Sequence, residues 1–562
     1  MSDGGDDADL IVIGSGAAGL TAATVAALQG CKVVLLEASE LLGGTTALSG
    51  GMVWLPANPK MAAAGVADSL DRARLYLDAT APAADRPQLL VLREAFLQQG
   101  AAALQDLEAR TALRLRPVLP YPDYYPDRAG ATLGGRVLEA LPFDGRELGA
   151  HFARLRPPLP EFMLFGGMMI ARPDIPHLRR VGRSWRSTWH VAGLLARHAL
   201  QRLQAARGTS LVLGNALAGR LLLSALQAGV DLRTGAAVAR LLPGPRRVAG
   251  VELVDGRQLQ ARRGVVLASG GLSHDAGLRA RVVPGAVGGL SATVAPARPG
   301  QACGARLALD IGAALDEHAS QQGFWVPVSR FSREDGSPGL YPHTVADRAK
   351  PGLIAVDRLG RRFVNEALSY HEFVLGQLRS QAQPAWLVCD RDFLWRYGLG
   401  RIKPFSRRLR RELDQGYLLR GDTVQDLARA AGIDADGLAR TMSDFNAAAR
   451  RGEDPAFGRG GDAYQRHLGD AGHRPNPCVA PLQRPPFYAV QVQPADLGMA
   501  AGLVTDAHTR VLDTDGRPIL GLWACGNDMQ SVMNGAYPGP GITLGPALVF
   551  GWIAGREAAA CR

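Results

Sequence analysis

An α/β fold is predicted for this 562-residue chain by three observations. A short apolar strand, Leu10-Ile11-Val12-Ile13, runs directly into Gly14-Ser15-Gly16-Ala17-Ala18-Gly19 and an alanine-rich helix that reaches Gly30. A second strand, Lys32 to Leu36, ends on Glu37. Glycine-rich segments return at 265–271 and 526–545, the second after a long stretch with strand and helix patterns of its own. Strand, glycine loop, helix and a second strand closing on an acid make a dinucleotide fingerprint. The glycines allow the tight turn, the approach of backbone to pyrophosphate and close helix packing, and the acid reaches ribose hydroxyls. The expected architecture is a Rossmann-like nucleotide-binding domain, residues 7–285 and 492–562, with an inserted α+β substrate domain at 286–491.

Composition narrows the classes. Lys+Arg 63 against Asp+Glu 52 leaves a net charge of +11, which invites an anionic partner. No nucleic-acid recognition motif accompanies that charge, so nucleic acid is not the expected partner. The six cysteines (Cys31, Cys303, Cys389, Cys478, Cys525, Cys561) include no CxxC pair, so neither a metal site nor a disulfide framework is expected. The start, Met-Ser-Asp-Gly-Gly-Asp-Asp, is acidic where a secretory signal is basic and then apolar, and no run approaches the roughly 18 apolar residues of a membrane span. A cytoplasmic location is the expectation.

Along the chain, a second glycine-rich loop, Leu41 to Gly51, follows the Glu37 strand at once. Helical periodicity covers about Asp68–Thr80 and Arg86–Thr111, and then comes a proline-stiffened loop, Leu119 to Asp127, with tyrosines at 121, 124 and 125. From Glu161 the sequence turns apolar through Ile170. Between Arg172 and Arg207 it carries eight Arg against one Asp, with Trp185 and Trp189 among them. Such a stretch, part of an excursion at about 150–207, suits either a solvated helical insertion or an anionic bilayer surface. A helix at Leu211–Ala228, strands at 230–233, 248–254 and 265–268, and two helices around Gly432 are also expected. The Asp357–Gly360 turn is read as joining two strands, the second ending at Asn365-Glu366, which leaves Tyr370 on a loop or helix entrance. Near the end, Tyr537-Pro538-Gly539-Pro540-Gly541 forces a tight path before a helix from Ile542 to Arg556, whose N-terminus points back at the loop. That path suits a flat ligand pressed on backbone.

The glycine loop after Glu37, the Tyr-Pro-Asp-Tyr stretch at 121–124, Arg362-Phe363-Val364-Asn365-Glu366 followed by Tyr370, and Asn527-Asp528 with Tyr537 to Gly541 resemble the fumarate reductase and 3-ketosteroid dehydrogenase superfamily, and within it the bacterial 3-ketosteroid Δ1-dehydrogenases. The resemblance implies FAD, held noncovalently because no histidine stands between Gly43 and Gly51. Residues expected against it are Gly14, Gly16, Ala18, Gly19, Glu37 and Ala38; Gly44, Thr45, Thr46, Ser49, Gly50 and Gly51; and Gly270, Gly526, Asn527, Asp528, Gly541 and Leu544. It further implies a 3-ketosteroid substrate, a quinone or other electron acceptor, and catalytic roles for Tyr124, Tyr370, Tyr537 and Gly541.

The chemistry supports such a set. Desaturation beside a ketone needs a base for the C2 proton, an acceptor for the C1 hydride, and donors for the charge that develops on the C3 oxygen. Tyr370 is the expected base, with Tyr124 favouring its ionised form, and Tyr537 with the Gly541 N–H the expected oxyanion pair. An apolar steroid also accounts for a tyrosine set without Arg or Lys. Two alternatives stay open: a 3-oxo-5α-steroid 4-dehydrogenase, and a flavin-bearing membrane or lipid-binding protein whose tyrosines only pack. For the noncovalent cofactor, acid precipitation is expected to leave all yellow colour in the supernatant; colour kept by the pellet would contradict it.

Overall fold

Strand Ala8–Ile13 is buried along nearly its whole length and lies inside an eight-stranded sheet. The computed structural model describes residues 8–283, 289–319, 321–344 and 347–561, so residue 7 and the expected boundary at 285/286 lie outside the described residues. The sheet order is Arg510–Leu512, Pro518–Ala524, Gln258–Leu267, Ala8–Ile13, Val33–Leu36 and Asp231–Arg233, with Val248–Leu253 added beside Gln258–Leu267 and Val238–Pro243 beside Val248–Leu253. Pairings among the central strands are parallel, which explains why they read as continuous apolar runs: helices cover them. The helix after the first loop, Ala17–Leu28, packs against the C-terminal helix Leu544–Ala560. At Gly551 and Gly555 an added Cβ would lie 2.7 and 2.5 Å from the carbonyl oxygens of Ala18 and Ala22, so the absence of side chains is what allows these helices to approach. Pro546 falls in the first turn of the C-terminal helix, where its missing N–H costs nothing.

The central segment builds a separate sheet, ordered Pro338–Pro342, Gly323–Ser332, Phe487–Met499, Ala385–Asp390 and Leu353–Val356, with Leu419–Gly421 also pairing Phe487–Met499. All its ladders are antiparallel. Helices Val424–Ala431 and Ala435–Ala449 flank Gly432, which takes the left-handed conformation expected of a helix stop. Other helices fall close to their expected ranges: Leu70–Thr80, Pro87–Arg110 and Leu213–Gln227.

One expected strand does not form. After Leu353–Val356 the chain makes only an isolated bridge between Val356 and Arg362. Side-chain chemistry replaces the ladder there. Arg362 pairs with Glu366 at 2.7 Å and Asp454 at 2.7 Å, and the buried Arg459 reaches Glu366 at 3.1 Å. Asn365 donates to the carbonyl of Phe457 and to Gln465. The two guanidiniums hold the Glu366 carboxyl below its usual range against the penalty of burial. This knot ends just before helix Tyr370–Arg379, whose N-cap Ser369 accepts the N–H of Glu372. Tyr370 therefore starts a helix from an anchored base.

The 150–207 stretch forms turns and short helices, then helix Trp185–Arg202, which buries only Ser187, Val191 and His198. Among the described residues no helix is long and apolar enough to cross a membrane.

Candidate active site

The first glycine loop and the second face one another. Gly14, at φ +103, brings its α-carbon so close to Ala268 that a Cβ would lie 2.3 Å from that carbonyl oxygen, and only glycine takes this conformation there without strain. Gly16 caps helix Ala17–Leu28 with no side-chain hydrogen bond, and an added Cβ there would touch only the Thr46 hydroxyl, at 3.7 Å. Thr46 accepts the Ala17 N–H at 3.0 Å, tying the two loops together. The helix N-terminus thus opens onto free space, the arrangement that takes a phosphate. Glu37 stands at the carboxyl end of its strand, with one carboxylate oxygen accepting the Ser15 N–H at 3.1 Å and the other the Ser39 N–H at 3.0 Å.

The remaining expected cofactor residues sit around the same groove. Ala38 and Ser49 are half-buried, and Gly50 and Gly270 have no atom within 4 Å of an added Cβ. Gly44 packs near the Gly16 backbone, while Gly51 packs on Leu213. Thr45 accepts the Val294 N–H at 3.0 Å, joining the second loop to the segment that leads into the central sheet. Asp528 is buried and acts as a brace: it accepts the N–H and hydroxyl of Ser269 and the Gly271 N–H. Burial raises its pKa and those donors oppose the rise. Gly526 packs on Ala18, Asn527 on Gly271 and Gly498, and Leu544 starts the C-terminal helix half-buried. A glycine cradle at a helix N-terminus, an acid at the ribose position and a second loop of small and hydroxyl residues fit FAD.

The four expected catalytic positions come together from three distant stretches. The Tyr124 and Tyr537 rings stack at 5.6 Å, Tyr370 meets Tyr537 edge-on at 5.1 Å, and Tyr124 meets Tyr370 edge-on at 5.8 Å. Gly541, at φ +94, rests on strand Met52–Trp54, where an added Cβ would be 2.3 Å from the Met52 carbonyl oxygen. Its carbonyl accepts the N–H groups of Trp54 and Gly545, and its own N–H donates to nothing among the described residues. Pro538 fixes the Tyr124 loop by accepting the Tyr124 N–H at 2.9 Å and the Tyr76 hydroxyl at 2.6 Å. Tyr125 donates to Glu372 at 2.7 Å, which sets the Tyr124 loop against the helix that carries Tyr370. Beneath it, Trp54 donates to Asp123, which pairs with the fully buried Arg136 at 2.9 Å, and Arg136 also holds Asp68.

Burial dominates the electrostatics. It pushes Tyr370 and Tyr124 well above the ordinary tyrosine value and Tyr537 to about 12. Tyr537 raises Tyr370 further, and the Tyr124 hydroxyl pulls it down. His371, next along from Tyr370, is lowered to about 3 by burial and is neutral. Its Nδ1 accepts the Trp325 N–H, which leaves Nε2 as an unpaired donor near Tyr537.

Several residues at this cluster carry no motif that would have revealed them. Tyr464 is fully buried and packs on Tyr124 at 4.6 Å, and Phe324 meets Tyr537 edge-on at 5.6 Å. No cluster of Arg or Lys was expected with these tyrosines, and two arginines lie near them. Arg348 is buried nearby, its charge spent on the carbonyls of His343, Thr344, Glu366 and Leu368. Arg172 lies over the Tyr121 ring at 5.3 Å. It arrives from the 150–207 excursion, which is why spacing did not associate it with the tyrosines.

Comparison with known proteins agrees with this geometry. The family model described as FAD binding domain matches residues 9–544. The chain is 38% identical to 4-oxocyclohex-2-ene-1-carboxylate 5-dehydrogenase of Sinomonas cyclohexanicum, over 98% of this chain and 93% of that protein. It is 36% identical to 3-oxosteroid 1-dehydrogenase of Mycobacterium tuberculosis, over 97% of both. The crystal structure of 3-ketosteroid delta1-dehydrogenase from Sterolibacterium denitrificans, in complex with 1,4-androstadiene-3,17-dione, superposes with a TM-score of 0.89 at 35% identity, covering 99% of this chain and 100% of that one. This chain belongs to the FAD-binding flavoprotein family of the 3-ketosteroid Δ1-dehydrogenases and their relatives.

Proposed function

We propose that the protein is an FAD-dependent oxidoreductase that desaturates the C1–C2 bond of 3-ketosteroids. The observation that carries this reading is the convergence of Tyr124, Tyr370 and Tyr537 in one buried cluster beside the backbone of Gly541. The Tyr537 hydroxyl and the Gly541 N–H hold the C3 oxygen and stabilise the charge that grows there as C2 loses its proton, a type of interaction worth about 10²–10³ in rate per donor. Tyr370 takes the C2 proton. Tyr124, held by Pro538 and by the Tyr125 to Glu372 bond, biases Tyr370 toward its ionised form. When bound, FAD supplies the acceptor for the hydride leaving C1. A quinone or other electron acceptor then removes the electrons.

One observation favours a second substrate class, a ring ketone that bears a carboxylate. Among the described residues Arg172 hydrogen-bonds to the Met52 sulfur, and its carboxylate partner there, Glu139, is 3.6 Å away and already engaged at 2.7 Å by Arg116. Two guanidiniums thus share one carboxylate beside Tyr121, leaving positive charge in excess at the edge of the cluster. Anaerobic titration of the yellow protein with a 3-ketosteroid and with 4-oxocyclohexanecarboxylate separates the readings. Bleaching by the steroid with a Δ1 product is expected, and a Δ4 product or no bleaching would contradict the main reading. Bleaching by the carboxylate that falls about 10-fold or more in Arg172→Gln, the scale of one lost charge-assisted contact, supports the second. Carboxylate bleaching unchanged in Arg172→Gln contradicts it.

We further propose that the enzyme works in the cytoplasm, resting on the inner face of the cytoplasmic membrane through residues 161–207. Large apolar side chains stand in solvent there: Trp185 is 77% exposed, Trp189 60%, Phe165 66%, Leu200 66% and Leu203 82%. Arg183, Arg186, Arg197 and Arg202 are interspersed, each able to add about 1 kcal/mol against anionic lipid. The segment also touches the catalytic half: Phe162 packs on Tyr341 at 5.4 Å, and Lys403 donates to the Met163 carbonyl. A steroid dissolved in lipid would therefore meet the enzyme near its site. Anionic liposomes are expected to pellet the intact chain, less so at high salt, but not a version with 161–207 replaced by a short linker. Equal pelleting of both, or of neither, would contradict the anchor.

A further inference from the structure

One cation lies inside the catalytic half with no carboxylate bonded to its guanidinium. Arg348 is 2% exposed, and among the described residues its side chain donates to backbone carbonyls alone: Nε to His343 at 2.9 Å, Nη2 to Thr344 at 3.0 Å, and Nη1 to both Glu366 at 2.9 Å and Leu368 at 3.1 Å. A buried charge is a weak source of stability, and well-packed apolar residues often do as well. What an apolar side chain cannot supply is the flat fork of donors that holds several acceptors in fixed relation.

The fork has a firm mount. Asp347 is turned away from it: one carboxylate oxygen accepts the Arg348 backbone N–H at 2.9 Å, while the other pairs with His343 Nδ1 at 2.7 Å and accepts the Gly400 N–H at 3.1 Å. From His343 Nε2 the chain of bonds continues to the Ser329 hydroxyl at 2.8 Å and on to the Tyr417 hydroxyl at 2.9 Å. The Arg348 carbonyl accepts from Arg459 at 2.8 Å. At its other end the fork grips the backbone at Glu366 and Leu368, just ahead of helix Tyr370–Arg379. The guanidinium carbon also stands 5.0 Å over the ring of Phe373, a fully buried residue in the first turn of that helix. One planar group therefore fixes two carbonyls before the helix and a ring inside it.

We propose that Arg348 is the positioning residue for proton removal: its fork sets the backbone at 366–368 and thereby the place of the Tyr370 oxygen at the carbon that loses its proton. The proposal rests on Tyr370 as the base and goes beyond it. Arg348 acts through Tyr370 alone. The Tyr370 ring meets Tyr537 edge-on at 5.1 Å and Tyr124 at 5.8 Å, so a shift of the helix start moves the phenol against both. Tyr537 and Gly541 stand on a different stretch, and the glycine loops on others, so the grips on ketone and flavin stay as they are. Lysine keeps the charge but brings a point-like ammonium on a flexible stem, which cannot hold the carbonyls in one plane.

Arg348→Lys and Arg348→Gln holoenzymes are compared with wild type in anaerobic single turnovers, counted per bound flavin, using a saturating 3-ketosteroid with deuterium at C2 or at C1. Both variants are expected to bind the steroid within a few-fold of wild type and to bleach about 10²-fold slower, the scale of a misplacement of about 1 Å. The isotope effect at C2 is expected to be at least that of wild type and the effect at C1 no larger, because proton removal is the step impaired. A residue that only supports the fold lowers the yield and melting temperature of the yellow protein and leaves its rate per flavin unchanged. That result would overturn the proposal, as would slowing with a larger effect at C1. Loss of FAD from both variants would show that Arg348 holds up the fold at large and would overturn it too. A wild type that the steroid does not bleach would instead remove the desaturase reading beneath it.

Discussion

The backbone from Pro538 to Gly541 is the constraint on which the rest of this site depends. Its carbonyls are consumed by partners from elsewhere in the chain: Pro538 accepts from Tyr76 and Tyr124, and Gly541 from Trp54. Those bonds pin the Tyr124 loop and strand Met52–Trp54 to the start of the C-terminal helix, which itself lies on the helix of the nucleotide fingerprint. The glycine loops, the Tyr537–Gly541 stretch and the Tyr124 loop are therefore tied to one another. A side chain at 541 would run into the Met52 carbonyl, so the peptide that presents the Gly541 N–H exists only because the residue is glycine. The catalytic helix meets this unit through fewer links, chiefly Tyr125 to Glu372 and the ring contacts of Tyr370.

Legibility in the sequence followed the range of the interactions. The first strand, the glycine loop, the helix and Glu37 were readable because each obeys a local rule within one βαβ unit, and the left-handed Gly432 and the first-turn Pro546 were readable for the same reason. Tyr124, Tyr370 and Tyr537 were visible only as parts of motifs, since nothing local says that stretches so far apart share a pocket. Tyr464, Phe324 and Arg172 belong to no motif, and their role comes from packing alone. The strand expected before Asn365 failed in an instructive way. Arg362 and Glu366 turn inward to Asp454 and Arg459, and the ion cluster takes the place of the ladder.

Low dielectric is both the cost and the tool of this arrangement. It raises every tyrosine at the centre, so a Tyr370 that acts as the proposed base needs a polar neighbour such as Tyr124 to favour its ionised form. In the proposed mechanism the same dryness would strengthen the Tyr537 and Gly541 donors as charge develops on the ketone oxygen. A site tuned in this way works on an apolar ring ketone, and the exposed tryptophans and leucines of 161–207 lie on the segment that packs beside it.

The central claim is that Tyr370 removes the proton while other groups hold the ketone. Substituting Tyr370→Phe removes one oxygen and keeps the ring that packs on Tyr537. Single-turnover flavin bleaching by a saturating 3-ketosteroid is the measurement. The account predicts a protein that remains yellow, binds steroid as before, and bleaches slower by about 10²–10⁴. Bleaching within a few-fold of wild type would contradict it.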